Sequence, residues 1–299
     1  PVLYLPLDLT DERKLAMGRA LLRRGLPPVA GVDIESRVLP AGVGDEPGPR
    51  VVVYERPDRK QPSGALLWIH GGGMVMGTPE QDHQWCSSLA DELGILVASV
   101  DYRLAPEHPF PAGLDDCMAA LTWLDEAAGE LGIDPDRFAV GGASAGGGLA
   151  AAVCQRARDE GGPAPCFQLL NYPMLDDRTV LVDDHEGRGA FVWTPTSNRF
   201  GWSAYLAGHP QEDDDRRHAA PGRTTDLSDL PPAWIGVGSL DLFHAEDVDY
   251  ARRLQAAGVA CELHEVTGMY HGAEQIAAKA PSLQEYRAVM VRALRRAVA

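Results

Sequence analysis

The sequence predicts an α/β protein with a mostly parallel central sheet flanked by helices. From about residue 51 to the end, short apolar runs alternate with longer amphipathic ones, as expected for strands that alternate with helices. The short runs are apolar throughout, which is typical of strands buried on both faces. With 299 residues, 45% of them apolar, the chain is long enough for one large domain with a sizeable core.

The individual elements follow from the same patterns. Strands are predicted at residues 51–54, 65–69, 95–100, 138–141, 167–171, 234–237 and 261–266. Helices are predicted at residues 10–25, 81–93, 114–131, 144–158, 245–257 and 283–299, the first of them with Thr10 as its N-cap and Gly25 at its end.

The alternation is interrupted once. Between Pro173 and about Asp226 no strand is predicted, although large aromatic side chains such as Phe191 and Trp202 argue against disorder. We expect this segment and the N-terminal helix to cover the sheet as a helical cap. The predicted division is a cap of residues 1–45 and 174–226 on an α/β core of residues 46–173 and 227–299.

The composition disfavours several classes of partner. A net charge of −16 without a basic cluster argues against nucleic acid and anionic membrane surfaces. No apolar run has the roughly 18 to 20 residues needed to cross a bilayer, and no signal-peptide pattern is visible. The five cysteines are odd in number and widely spaced, which indicates reduced thiols. We therefore expect a cytoplasmic protein.

The stretch at residues 140–149 is the most informative about chemistry. Residues 142–146 spell G-x-S-x-G around Ser144, between a predicted strand and a predicted helix. A serine projects its hydroxyl from such a turn only with strained backbone angles and uncrowded neighbours, which Gly142 and Gly146 provide. The alternative is a glycine-rich turn with an incidental serine, and the rest of the chain disfavours it.

A serine nucleophile needs a base, and the base needs an acid to orient it. Of the histidines after Ser144, only His271 lies in a loop that follows a core strand. Asp241 follows the preceding strand, and the order Ser, Asp, His is the one expected for a nucleophile elbow. Glu246 and Asp247 compete for the role of the acid, but they open a helix, where acidic residues are common. The alternative for His271 is an ordinary surface-loop histidine.

The run H-G-G-G at residues 70–73 directly follows a predicted strand. Its bare N–H groups, with that of Ala145, could bind the oxyanion of a tetrahedral intermediate. A phosphate cradle is the alternative, but no Walker lysine follows and neither glycine run spells G-x-G-x-x-G. No zinc-ligand spacing occurs either. We expect no cofactor and no metal.

Three further motifs accompany these two: D-Y-R-L-A-P-E at residues 101–107, F-P-A at 110–112 and L-P-P-A at 230–233. In this combination, residues 50–275 resemble the bacterial hormone-sensitive-lipase family (family IV) of carboxylesterases. The resemblance implies an α/β-hydrolase fold with a helical cap, no cofactor, and hydrolysis of short- to medium-chain esters. It implies these site residues: the triad Ser144, Asp241 and His271, and an oxyanion hole formed by the loop Gly71, Gly72, Gly73 together with Ala145.

The chain departs from the family pattern at three places. Ala143 stands where an Asp is usual, and residues 242–246 read L-F-H-A-E instead of P-L-R-D-E. Ala273 stands where an aromatic residue is common, which predicts a larger pocket beside the base and tolerance of bulky acyl or alcohol groups.

Substrate sites of this kind are apolar clefts with a few polar groups. The candidate walls are aromatic: Trp85, Phe191, Trp193, Trp202 and Tyr205. Packing between cap and core is the alternative for each of them, and helical spacing favours it for Trp202 and Tyr205.

The leading hypothesis is a serine carboxylesterase that acts on a small-molecule ester. Dimers are common in the family, so the resemblance favours a homodimer. A related acyl hydrolase, such as an amidase, lactonase or acyl-sugar deacetylase, would use the same residues and stays open. A ligand receptor on the same fold would normally lack a triad member, and none is lost here.

Overall fold

The computed structural model describes residues 8–22, 25–40 and 48–299. The strands are β1 Asp33–Val38, β2 Arg50–Glu55, β3 Ser63–Ile69, β4 Leu96–Asp101, β5 Ile133–Ala143, β6 Phe167–Asn171, β7 Ala233–Gly238 and β8 Cys261–Val266. The helices are α1 Glu12–Leu22, α2 His83–Leu93, α3 Ala112–Glu126, α4 Ala128–Leu131, α5 Ala145–Glu160, α6 Pro195–Tyr205, α7 His244–Ala256, α8 Ala273–Ile276 and α9 Pro281–Val298.

All eight strands form one sheet in the order β1-β2-β4-β3-β5-β6-β7-β8. Strands β3 to β8 pair in parallel, whereas β2 is antiparallel to both β1 and β4. The predicted fold class, a mostly parallel sheet with flanking helices, is therefore confirmed.

Two apolar clusters cover the two faces of the sheet. Successive residues of β3 point to opposite faces, so Leu67 and Ile69 join one cluster while Leu66 and Trp68 join the other. The first cluster includes buried residues of α3, α5 and α7, and the second includes those of α2 and α9. This double coverage explains why every residue of β3 is buried, and why its sequence is continuously apolar.

Two elements differ from the sequence-based expectation. The edge strand β1 was not predicted, because it is almost entirely exposed and so lacks the apolar pattern of a buried strand. Since β1 belongs to the sheet, the expected cap boundary at residue 45 is wrong. The helix expected at 114–131 is two helices, which meet at Ala127 with φ −89° and ψ 6°, outside helical geometry.

The segment between β6 and β7 contains α6 and two short 3₁₀ turns, and no strand lies within residues 174–226. It contacts the N-terminal segment: Leu9 N donates to Ser197 Oγ at 3.0 Å, and Thr194 Oγ1 donates to Asp8 at 2.7 Å. Helix α1 ends at Leu22, and residues 23–24 of the predicted helix lie outside the described residues. Across the described parts of the chain, no helix combines the length and apolarity that a membrane crossing requires.

Candidate active site

Ser144 lies at the tip of a sharp turn between β5 and α5. Its backbone has φ 57° and ψ −123°, a conformation that non-glycine residues rarely adopt. Backbone crowding explains the flanking glycines: a Cβ on Gly142 would lie 2.3 Å from the Gly146 carbonyl oxygen, and one on Gly146 would lie 2.0 Å from that of Ile69. Ser144 N donates to Asn171 O at 2.9 Å, which fixes the turn against β6. This local structure has the backbone geometry that a nucleophile elbow requires.

Three of the predicted site residues meet in one hydrogen-bonded chain. His271 Nε2 accepts from Ser144 Oγ at 2.9 Å, and His271 Nδ1 donates to Asp241 Oδ2 at 2.9 Å. Asp241 is fully buried, and its other oxygen accepts from Phe243 N at 3.0 Å. The bond to Nδ1 holds the imidazole with Nε2 toward the serine.

The two competing acids lie elsewhere on α7. Glu246 accepts from Leu175 N at 2.7 Å and from the Thr179 hydroxyl, so it anchors the start of the segment after β6. Asp247 is fully buried and both of its carboxylate oxygens lack a partner among the described residues. Burial raises the pKa of both side chains well above their ordinary values. Of the three acids, Asp241 is the one that contacts His271.

The glycine loop after β3 lies beside the serine. A Cβ on Gly71 would lie 3.4 Å from the Ser144 Cβ, and one on Gly73 would lie 2.1 Å from the ring of Trp193. Among the described residues, no acceptor is found for the N–H groups of Gly72 or Gly73. The Ala145 N–H is also free of an intrahelical acceptor, because it opens α5. These groups can therefore donate to a substrate oxygen.

The glycine loop is supported by residues 102–107, which follow β4. Tyr102 stacks on His70 with ring centroids 4.3 Å apart and donates its hydroxyl to His70 O at 3.0 Å. Ala105 N donates to Met74 O at 2.9 Å. Burial lowers the pKa of His70, which keeps it neutral, and its Nδ1 donates to Gly71 O at 2.9 Å. His70 is thus placed as a support of the loop.

The five aromatic candidates do not all lie at the site. Trp193 contacts Gly73, and Phe191, 45% exposed, lies with its ring centroid 5.3 Å from that of Tyr270, next to the base. Trp85 packs edge-on against Trp68, on the α2 side of the sheet.

Trp202 and Tyr205 are fully buried and pack against each other, with ring centroids 6.0 Å apart. Tyr205 also contacts Phe110, at 5.7 Å. Both side chains therefore pack in the apolar cluster that covers one face of the sheet.

Three residues near the base were missed by the sequence analysis. The rings of Tyr172 and Phe243 contact His271 edge-on at centroid distances of 4.6 and 5.2 Å. The Glu274 carboxylate accepts from the Tyr172 hydroxyl. The only sequence signals were position: Tyr172 directly follows β6, and Glu274 follows His271 by three residues. Within the described ranges, no group of three or more His, Cys, Asp or Glu side chains could hold a metal ion.

Known proteins resemble this chain over most of its length. A family model described as the alpha/beta hydrolase fold matches residues 66–275. A carboxylesterase named NlhH from Mycobacterium tuberculosis is 38% identical over 303 residues, covering 98% of this chain and 92% of the relative. An ethyl acetate hydrolase from Pseudomonas putida is 35% identical over 256 residues, covering 79% of each chain. The structure of a bacterial heroin esterase superposes with a TM-score of 0.91 at 38% identity, covering 99% of this chain and 94% of the other.

The chain therefore belongs to the α/β-hydrolase family. Within that fold it is a carboxylic ester hydrolase of the hormone-sensitive-lipase type, as the sequence motifs predicted.

Proposed function

We propose that the protein is a serine carboxylesterase that hydrolyses short- to medium-chain esters of small molecules, with Ser144 as nucleophile, His271 as general base and acid, and Asp241 as the residue that orients His271. The observation that carries the proposal is the chain of two 2.9 Å hydrogen bonds from Ser144 through His271 to the buried Asp241. The chain starts at an elbow whose strained backbone presents the serine hydroxyl.

Acylation follows from this geometry. As Ser144 Oγ bonds to the ester carbonyl carbon, its proton passes to His271 Nε2. The negative charge of Asp241 stabilises the resulting imidazolium without taking its proton. When the tetrahedral intermediate collapses, the carbon–oxygen bond to the alcohol breaks and the imidazolium gives its proton to the departing oxygen. The product is the acyl ester of Ser144 and a free alcohol.

Deacylation repeats these steps with water. His271 takes a proton from the water as its oxygen bonds to the acyl carbon, and then returns that proton to Ser144 Oγ as the acid leaves. In both halves, the carbonyl oxygen becomes an oxyanion that the N–H groups of Gly72, Gly73 and Ala145 would bind, with Gly71 bringing the loop alongside the serine. Loss of one such donor typically lowers the rate about 10²- to 10³-fold.

The size of the substrate is inferred from the relatives. The Pseudomonas putida relative is named for ethyl acetate, whose acyl group has two carbons. Phe191 and Trp193 are the side chains we propose as walls, because one contacts Tyr270 beside the base and the other the glycine loop. Tolerance of bulky groups next to Ala273 remains part of this proposal.

We also propose that α1 and residues 174–226 act together as a cap over an α/β core. The contacts of Leu9 with Ser197 and of Asp8 with Thr194 support this unit. Gly201 of α6 supports it too, because a Cβ there would lie 2.9 Å from Gly73 O, so the helix rests directly on the glycine loop.

A panel of p-nitrophenyl esters from C2 to C12 tests the function, with wild type and Ser144→Ala measured side by side. We expect turnover that is greatest for short chains and absent from the variant. Ser239→Ala is the matched control, since this serine follows β7 and donates to no triad residue. Equal turnover by wild type and Ser144→Ala would refute the assignment of the nucleophile.

A further inference from the structure

Glu274 is a buried acid that the steps above do not use. It lies in α8, one turn after His271, and its carboxylate points inward. One oxygen accepts from the Tyr172 hydroxyl and lies 3.4 Å from Asn171 Nδ2. The other oxygen is buried and has no hydrogen-bond partner among the described residues. A carboxylate so placed costs free energy to bury, which calls for a reason.

Tyr172, which donates a hydrogen bond to Glu274, also contacts the ring of His271. The Tyr172 ring contacts the His271 imidazole edge-on, with centroids 4.6 Å apart and planes at 61°. Tyr172 is itself held at the end of β6, where its N–H donates to Gly236 O at 2.7 Å. The preceding residue, Asn171, accepts from Ser144 N at 2.9 Å. Glu274 therefore ties the loop that carries the base to the strand that holds the nucleophile.

We propose that Glu274 is a positioning residue for His271: through Tyr172 it holds the imidazole in line with Ser144 and Asp241, and its negative charge favours the imidazolium that forms during acyl transfer. This proposal rests on the proposed function, since it presupposes that His271 is the base.

The groups that face Glu274 set the sign of the expected effect. His271 is the cation it would stabilise, while Tyr172 and Asn171 donate hydrogen bonds to it. Two other acidic groups interact electrostatically with Glu274: Asp82, before α2, and Tyr286, on α9. The charge of Glu274 raises the pKa of both. Burial raises the pKa of Glu274 itself, and its bond from Tyr172 opposes that rise. Removal of the Glu274 charge should therefore remove a favourable interaction with the imidazolium that forms during acyl transfer.

Two substitutions separate the charge from the hydrogen bond. Glu274→Gln removes the charge but keeps an oxygen that can accept from Tyr172. Tyr172→Phe removes the hydrogen bond but keeps both the ring and the acid. Glu285→Gln is the matched control, because that glutamate lies nearby on α9 with its side chain 63% exposed. Each variant is assayed for kcat and KM from pH 5 to 9, with Ser144→Ala alongside, and rates are expressed per Ser144 titrated by an organophosphonate.

For Glu274→Gln we expect the acid limb of kcat/KM to move to lower pH by about 0.5 to 1 unit. For Tyr172→Phe we expect a fall in kcat of about tenfold with KM within twofold of wild type, since the ring would hold the imidazole less firmly. Glu285→Gln should match wild type in both respects.

An unmoved acid limb in Glu274→Gln, or a Tyr172→Phe variant that loses only thermal stability, would overturn the positioning role. Ser144→Ala distinguishes this failure from a failure of the proposed function, because it loses turnover only if Ser144 is the nucleophile. Titration with the phosphonate removes misfolded protein from the comparison, so a poorly folding variant still yields a kcat per competent site.

Discussion

At the scale of single residues, the site is defined by positions where only one residue type fits. Ser144 adopts a backbone conformation with φ 57°, and the neighbouring Gly142 and Gly146 leave no room for a side chain. Gly73 also has no room for a side chain, because the Trp193 ring occupies the place where its Cβ would lie. Because these close contacts require glycine, the two glycine runs can be recognised as motifs in the sequence.

Gly73→Ala should lower kcat by about 10²-fold, because relief of the clash with Trp193 would shift the N–H groups of the loop. Gly94→Ala is the matched control: its φ of +64° is close to the +62° of Gly73, but nothing lies within 4 Å of its Cβ position. Both variants should lose about 1 kcal/mol of unfolding free energy from left-handed backbone strain. Ester turnover and urea unfolding check this, and a Gly73→Ala enzyme as active as Gly94→Ala would contradict it.

The hydrogen-bonded chain of Ser144, His271 and Asp241 could be predicted from the sequence because its members follow strands in a fixed order. Tyr172 and Glu274 could not, since their roles depend on contacts between residues 102 positions apart. No periodicity or motif encodes such a meeting. For Trp202 and Tyr205, helical spacing favoured packing over a pocket wall, and both side chains are buried against each other.

At the scale of elements, the N-terminal helix is connected to the glycine loop through one side chain. Arg19 of α1 donates to Val75 O at 2.8 Å and to Ala105 O at 3.0 Å, and it pairs with Glu107 at 2.7 Å. That pair lowers the pKa of Glu107 to about 2. Helix α1 thus braces both the end of the glycine loop and the residues that follow β4.

Arg19→Met should lower kcat/KM about three- to tenfold, because the glycine loop loses its brace while the apolar stem of the side chain is kept. The unfolding free energy should fall by about 1 kcal/mol, a modest value because the arginine is partly exposed. Arg296→Met removes a more exposed ion pair with Glu262 and serves as the control. Equal kinetics in the two variants would exclude a bracing role for Arg19.

Buried strands were predictable, whereas the exposed edge strand was not. Strands β2 to β7 were located because burial on both faces demands an apolar run. The edge strand β1 pairs along its whole length with β2 but carries Asp33, Glu35 and Arg37, so its sequence resembles a loop. Pairing through the backbone leaves no trace in side-chain pattern when neither face is covered.

At the scale of the whole molecule, an acidic chain keeps several carboxyl groups away from water. Asp82 is 5% exposed, and its hydrogen bond from Trp68 Nε1, at 2.8 Å, does not offset its burial. Burial raises its pKa from 3.8 to about 7. Burial also raises the pKa values of Glu246, Asp247 and Glu274. In mildly acidic solution these four carboxyl groups therefore keep protons in the folded protein that they would release in the unfolded chain.

Asp82→Asn should flatten the loss of stability with rising pH. The folded pKa lies above the unfolded one, so the stabilisation is complete below about pH 4 and is lost as the pH rises through 7. Between pH 4.5 and 8, wild type should lose roughly 2 to 4 kcal/mol more than the variant, whose amide oxygen still accepts from Trp68. Urea unfolding at both pH values measures this, with the exposed Asp136→Asn as control. Parallel losses in wild type and Asp82→Asn would contradict it.

The proposed function requires Ser144 to form a covalent acyl-enzyme with the help of His271. A p-nitrophenyl phosphonate, which reacts with an activated serine, tests this claim by the residue that it modifies. Intact-mass and peptide analysis should find one phosphonyl group per chain, on the peptide that contains Ser144, appearing at the same rate as esterase activity disappears. His271→Gln replaces the imidazole with a side chain of similar volume that cannot act as a base. It should slow the reaction at least 10³-fold. A group on any other residue, or an unmodified Ser144 in inactivated enzyme, would contradict the claim.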